Sequence, residues 1–331
     1  VVVGSSTSFG VAGVRLAMSN PESVVLSTTT NTLSVSESPT VSGVSPTAAY
    51  GLSSITLTGA NFLMTSQGQA CSATVGSTPA ASCAVLSSSQ VRVVVGSGSS
   101  AGAAIVRVVF NGGGSGATAE TSGALLTVVG GATFGSLLPV SGYLGSAITV
   151  IGSNFITSQT CTAKVGSTPS SGAAASSCII SSATQVVVVI GAGTVTGSAG
   201  VEVTFSNPTS AYVSSDGTAL SIFGSPTLSD TISPSAAYRS STITLTGTNF
   251  IAGGSQTCSA LIGATPASGA AASSCTIVSG TAIVVVVGSS TSFGVAGVRL
   301  AMSNPETVVL STTTNTLSVS ESPTVSGVSP T

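Results

Sequence analysis

The residues of this chain best equipped for chemistry are its six cysteines. They fall as Cys71 and Cys83, Cys161 and Cys178, and Cys258 and Cys275, with members 12, 17 and 17 positions apart. Paired thiols can close a disulfide, hold a soft metal ion or cycle as a redox couple. No pair has C-x-x-C spacing, and the chain has no His, the commonest metal ligand and the usual general base. Each pair brackets a turn of the VGSTP type: CSATVGSTP from Cys71, CTAKVGSTP from Cys161, CSALIGATP from Cys258. The pairs therefore read as disulfides Cys71–Cys83, Cys161–Cys178 and Cys258–Cys275, with partners facing one another across a hairpin. A metal or redox centre and intermolecular bridging are the alternatives. Closing a loop of ~15 residues contributes about 3 kcal/mol in the chain-entropy model. Six Cys beside only six Lys or Arg fit an oxidising, extracellular setting or a cell surface.

The other reactive types are sparse. Asp216 and Asp230 are the only Asp, and eight carboxylates in 331 residues are too scattered for paired acid–base work or calcium. No catalytic, cofactor-binding or metal-binding residue is assigned, and no enzyme activity or cofactor is expected. Six basic residues and a net charge of −2 give no footprint for nucleic acid. The densest apolar run, Ile283 to Val287, is far short of the ~20 residues of a spanning helix, so no membrane-spanning segment is expected in this sequence. There is no initiator Met or basic n-region, so a signal peptide is either cleaved or outside the sequence. Asn20, Asn207 and Asn304 precede Pro, so none makes an N-glycosylation sequon, while Ser/Thr strings such as STTTNT are candidate acceptors for O-linked glycans. Their alternative role is a neutral polar strand face; Ser and Thr number 110.

The elements that carry these residues are set by repeats. Residues 1–47 recur at 285–331 with 46 of 47 positions identical, the exception being Ser23, which is Thr307. The period is 284 residues, as in a recent tandem duplication, and the chain reads as part of something longer. Within it lies a diverged period of 93 to 95: SITLTGANF (54–62), AITVIGSNF (147–155) and TITLTGTNF (242–250). This predicts the second half of one module at 1–37, full modules at 38–131, 132–224 and 225–321, and the start of another at 322–331. Each module's last strand runs into the next module's first without a linker, so the joints should be stiff.

Within a module the signals are all β. Apolar and polar residues alternate, as in Ile55-Thr56-Leu57-Thr58, and Gly, Pro, Ser and Asn punctuate the chain every 8 to 12 residues. Seven or so short strands in ~95 residues predict an immunoglobulin-like β-sandwich. The order SP, ITLTGxNF, Cys-x-x-x-[VI]-G, a second Cys and VVVV-G resembles the IPT/TIG group of immunoglobulin-like domains over essentially the whole chain. The resemblance implies the fold, not the function, because the group spans receptors, surface proteins, transcription factors and starch-acting enzymes. The transcription-factor members use basic loops, and the starch-binding ones would want exposed Trp; this chain has few basic residues and no Trp.

Several positions recur in register. Asn61, Asn154 and Asn249 suit a turn or bulge needing a left-handed backbone, with Phe62, Phe155 and Phe250 anchoring the core. Tyr50, Tyr143 and Tyr238 each stand five residues before the Ile of the ITLTG-type strand and either fill a joint between modules or lie on their own module. Arg107, Glu202 and Arg299 match in position and change sign, which suits either contact between modules or a solvated face. In the runs 91–95, 186–190 and 283–287, alternate residues should point inward. That leaves Val94, Val187, Val189, Val284 and Val286 outward, with Arg92 their one polar counterpart. Either a neighbouring module or chain covers this apolar stripe, or loops of the same module do.

These readings point to a structural protein: a long extracellular filament or cell-surface appendage, mastigonemes being one analogy, whose partner is itself through end-to-end modules and lateral homo-assembly. The alternative is the stalk of an adhesin or receptor whose binding domain lies elsewhere.

Overall fold

The computed structural model describes residues 10–12, 15–19, 23–27, 33–35 and 37–326, apart from 63–69, 112–115, 209–210, 254–255, 304–307, 313, 315 and 325. Two compact units divide the chain, Val1–Gly131 and Ala132–Thr331. Among the described residues three hydrophobic cores lie along it: one from Val41 to Val128 in the first unit, and two in the second, from Leu137 to Ile222 and from Ile232 to Val319.

Each core sits between two β-sheets, and the alternation in the sequence becomes the two faces of each strand. In Ser54–Ala60, Ile55 and Leu57 are buried while Ser54 and Thr56 are only partly covered. In the second sandwich the first sheet runs Thr133–Leu138, Ala147–Ser153, Gln185–Val189, Ser177–Ser182. Its second sheet runs Ser141–Tyr143, Leu220–Phe223, Gly197–Phe205, Cys161–Gly166, Ala173–Ala174, with Tyr212–Ser214 also against Gly197–Phe205. The third sandwich repeats this order strand for strand. The first keeps its four-stranded sheet, but its second sheet is divided into a three-stranded and a four-stranded part. The fold class is all-β, with immunoglobulin-like sandwiches in tandem.

The first strand of each sandwich changes sheets at a proline. Thr40–Ser45 pairs antiparallel with Ser54–Ala60, and after the cis Ser45–Pro46 bond Ala48–Ala49 pairs parallel with Leu126–Val128. Leu138–Pro139 and Ser233–Pro234 mark the same crossing. Proline has no N–H for a ladder, so the strand leaves its first sheet there. This crossing divides one expected strand into two and raises the strand number above seven.

The two longer Cys-to-Cys segments hold a short 3-10 turn, Pro169–Ser171 and Pro266–Ser268, which the all-β reading did not contain. The first sandwich, five residues shorter there, has the two-residue strand Thr78–Pro79 instead. In residues 1–37, Gly10–Ala12 pairs with Leu33–Val35 and Arg15–Ser19 with Ser23–Ser27. Their counterparts in the 285–331 copy make the same pairings, with Gly10↔Val35 matching Gly294↔Val319.

Candidate assembly joint

The G-x-N-F strings build the end of each sandwich. Asn61, Asn154 and Asn249 have φ of 63°, 63° and 59°, the left-handed region that asparagine tolerates. The reversal turns Phe62, Phe155 and Phe250 back into their cores, where they are 2%, 3% and 1% exposed. The glycine two places earlier has its own reason, which the sequence reading missed. A Cβ at Gly59, Gly152 or Gly247 would run into the backbone carbonyl of Thr40, Thr133 or Thr227 and into the ring of that same Phe. The Asn side chain then holds the segment entering the sandwich: Asn61 Nδ2 donates to Ser38 O at 3.3 Å, and Asn249 Nδ2 to Ser225 O at 3.0 Å.

Within the second unit, this turn meets a tyrosine from the preceding sandwich. Tyr143 ends the strand Ser141–Tyr143, which pairs parallel with Leu220–Phe223, so Tyr143 lies beside Phe223 where the chain leaves the sandwich. Its N–H donates to Ser146 Oγ at 2.9 Å, fixing the turn behind it. Its phenol donates to the carbonyl of Asn249 at 2.9 Å and accepts from Gln256 Nε2 at 3.0 Å. The N–H of Ile251 donates to Gln256 Oε1 at 3.0 Å, so the amide is held at both ends. Tyr143 is 3% exposed, and Ile251 and Gln256 are buried beside it. Burial pushes the Tyr143 phenol above its ordinary pKa, and the bond to Gln256 and the backbone at Ile251 oppose that shift. Gln256 was not singled out by sequence reading, although a Gln stands two places before the first Cys at 69, 159 and 256. Gln69 lies outside the described residues.

Tyr50 is also 3% exposed, whereas Tyr238 is 45% exposed, on the last sandwich. The charged positions behave locally. Arg107 stands opposite Glu120, and Glu202 opposite Lys164, on neighbouring strands of their own sandwich; Arg299 stands between Leu261 and Ser311.

The disulfides Cys71–Cys83, Cys161–Cys178 and Cys258–Cys275 are present, with Cα–Cα distances of 5.6, 5.6 and 5.5 Å. They do not span the two arms of a hairpin. Ala70–Val75 belongs to the second sheet and Ser82–Ser87 to the first, and the other two pairs are placed alike. The chain between the cysteines crosses from one sheet to the other, so each bridge ties the two sheets together. Complete reduction is expected to lower the stability of each sandwich by about 3 kcal/mol, read as a fall in the denaturant midpoint with reductant. An unchanged midpoint after verified reduction would show that the bridges add nothing.

The β-branched runs alternate. Val91, Val93, Val95, Val186, Val188, Ile190, Ile283, Val285 and Val287 are fully buried, while Val94, Val187, Val189, Val284 and Val286 are half-buried and Arg92 is exposed. The partial cover comes from the strands on either side. Val94 lies between Ser54 and Ser82, Val284 between Thr244 and Thr276, and Val187 between Thr149 and Ile179. The outer row is most apolar in the second sandwich, where Leu138 and Ile179 are exposed on either side of the Thr149–Val187 pair.

Among the described residues no three His, Cys, Asp or Glu gather as metal ligands, and no helix is long and apolar enough to cross a membrane.

Residues 39–126 match the IPT/TIG domain model. No curated protein matches the chain. Among solved structures, the plexin A4 extracellular region, domains 1 to 10, is 16% identical with a TM-score of 0.44; the match covers 78% of this chain and 22% of that one. The present chain thus spans about a fifth of the plexin chain. The titin I-band fragment I67–I69 is 13% identical with a TM-score of 0.24, covering 86% of this chain and 96% of that one. Domains 3–5 of Drosophila OTK are 10% identical with a TM-score of 0.22 and the same two coverages. With the family match on the first sandwich and its motifs repeated on the other two, the chain resembles a tandem array of IPT/TIG immunoglobulin-like domains.

Proposed function

We propose that this protein is a structural array: modules at 38–131, 132–224 and 225–321 form a repeating length of an extracellular filament or cell-surface appendage. The observation that carries this reading is the joint at Tyr143, where a buried phenol and a buried amide tie one sandwich to the next. Such a joint transmits orientation along an array, which a flexible linker does not. The near-identical repeat at 1–47 and 285–331 adds that length is the property being multiplied. Three intramodular disulfides fit an oxidising compartment outside the cell. A surface with 14 charged residues in 331 leaves little for salt to screen.

Lateral association is assigned to the outer valine row, at Val94, Val187, Val189, Val284 and Val286, with Leu138 and Ile179 enlarging it on the second module. Changing Val187 and Val284 together to lysine is expected to leave the modules folded, because both positions are half-buried and a lysine stem can lie along the sheet with its ammonium in water. Negative-stain images of native and variant protein check the outcome. Native protein should form regular fibres and the variant should not; fibres of normal thickness from the variant would remove these valines from the contact. Single strands capped by a distinct domain in the native images would favour the stalk reading.

A further inference from the structure

Tyr238 repeats every feature that places Tyr143 in its joint except the partner. It ends the strand Ala236–Tyr238, pairs parallel beside Ser320 where the chain leaves the third sandwich, and its N–H donates to Ser241 Oγ at 3.3 Å. Yet it is 45% exposed where Tyr143 is 3% exposed, and its phenol has no hydrogen bond among the described residues. The ten residues that follow the third module, SPTVSGVSPT at 322–331, are identical to 38–47, the first ten of the first module. The first module in turn carries the receiving turn. Asn61 has φ of 63° against 59° at Asn249, and its Nδ2 holds Ser38 O as Asn249 holds Ser225 O. Ser38 is the residue repeated at Ser322.

We propose that Tyr238 is the docking side chain for a further copy of the 38–131 module, donating its phenol to the backbone carbonyl at that copy's Asn61. The occupant is fixed by continuity: the exit strand, the entering segment and the acceptor turn of this junction are all present, divided between the two ends of the chain. Because Asn61 and Asn249 share a left-handed φ and the same grip on the entering segment, the junction between successive 284-residue repeats is of the same kind as the one inside the repeat. The array then has a single joint geometry where the third module meets a new first module. This rests on the array reading, but its test does not depend on fibre formation.

The experiment extends the full chain with residues 48–131 after Thr331, which completes a copy of the first module without any foreign sequence. Both proteins are treated with tetranitromethane, and nitration is followed residue by residue by mass spectrometry. Tyr212, 60% exposed, serves as the reactive standard, and Tyr143 as the standard for a closed joint. The expected result is a fall of about tenfold or more in the rate at Tyr238 relative to Tyr212 on extension, as for a group reached only by local opening. Closure of the added Cys71–Cys83 bridge, read by peptide mapping, shows that the added module has folded. A second extension, by residues 48–224, gives the added module the neighbour it has in this chain. If Tyr238 is nitrated at the same relative rate in the 331-residue chain and in both extensions, the proposal is overturned. Protection of Tyr238 in protein that forms no fibres would retain the joint and remove the filament reading instead.

Discussion

Replacing Phe155 with alanine is expected to destabilise the second sandwich by about 3 to 5 kcal/mol, a large part of the stability of a domain this size. Phe155 is 3% exposed and lies against Phe205 with ring centroids 5.8 Å apart, so truncation opens a cavity beside the Phe205 ring. The site has little room to collapse, because Phe155 follows Asn154, whose φ of 63° is part of the turn, and Gly152 sits directly on the ring. The effect should be local, since the first core shares no residue with the second. Protein with Phe155→Ala should therefore lose Cys161–Cys178 to reductant at a lower denaturant concentration, while Cys71–Cys83 keeps its resistance. Tyr212→Ala, at an exposed position, should shift the midpoint little. Equal sensitivity of both bridges would mean that the sandwiches do not unfold as separate units.

Features with a short period were legible in the sequence, and those depending on a distant partner were not. Ile55 and Leu57 declare an inward face because a strand's side chains alternate, and the buried and half-buried sets of the three valine runs follow for the same reason. Asn61, Asn154 and Asn249 could be read as left-handed turns because few other residues tolerate that backbone. The cysteine pairing was legible from spacing, but the arrangement of the cysteine strands was not. A turn between two cysteines looks the same whether the chain folds back in one sheet or crosses to the other, and here it crosses. The change of sheet at each Ser-Pro or Leu-Pro left only the proline as a sign. Gly152 needs its missing side chain because Thr133 O and the Phe155 ring approach it, and the Thr133 approach comes from another strand. Gln256 was invisible for the strongest form of this reason: its partner Tyr143 is 113 residues away. The repeated tyrosine supplied half of the joint, and the glutamine that completes it also recurs, two places before each first Cys, but nothing local said what it would meet.

Tyr143→Phe tests that joint with the least disturbance, since the ring and its packing remain and only the hydroxyl is lost. Two groups then lose their partner: the partly buried carbonyl of Asn249 and the buried Nε2 of Gln256. Leaving such groups unpaired costs about 1 to 3 kcal/mol, more than the net worth of an average hydrogen bond. The loss should fall on the coupling between the second and third modules rather than on either core. It should be seen first at the amide of Ile251, which donates to Gln256 Oε1, as faster hydrogen exchange. The pH dependence has a definite sign. Burial holds the Tyr143 phenol above its ordinary pKa of about 10, so the neutral form is the one the folded joint prefers. The native advantage over Tyr143→Phe should therefore be constant below about pH 10 and shrink as pH rises from there through the raised folded value. The variant should show no such component. If native protein and variant unfold at the same midpoint and exchange Ile251 equally fast, the hydrogen bonds do not couple the modules. Stiffness would then have to come from the short connection between Phe223 and Thr227, where Asn249 grips the carbonyl of Ser225.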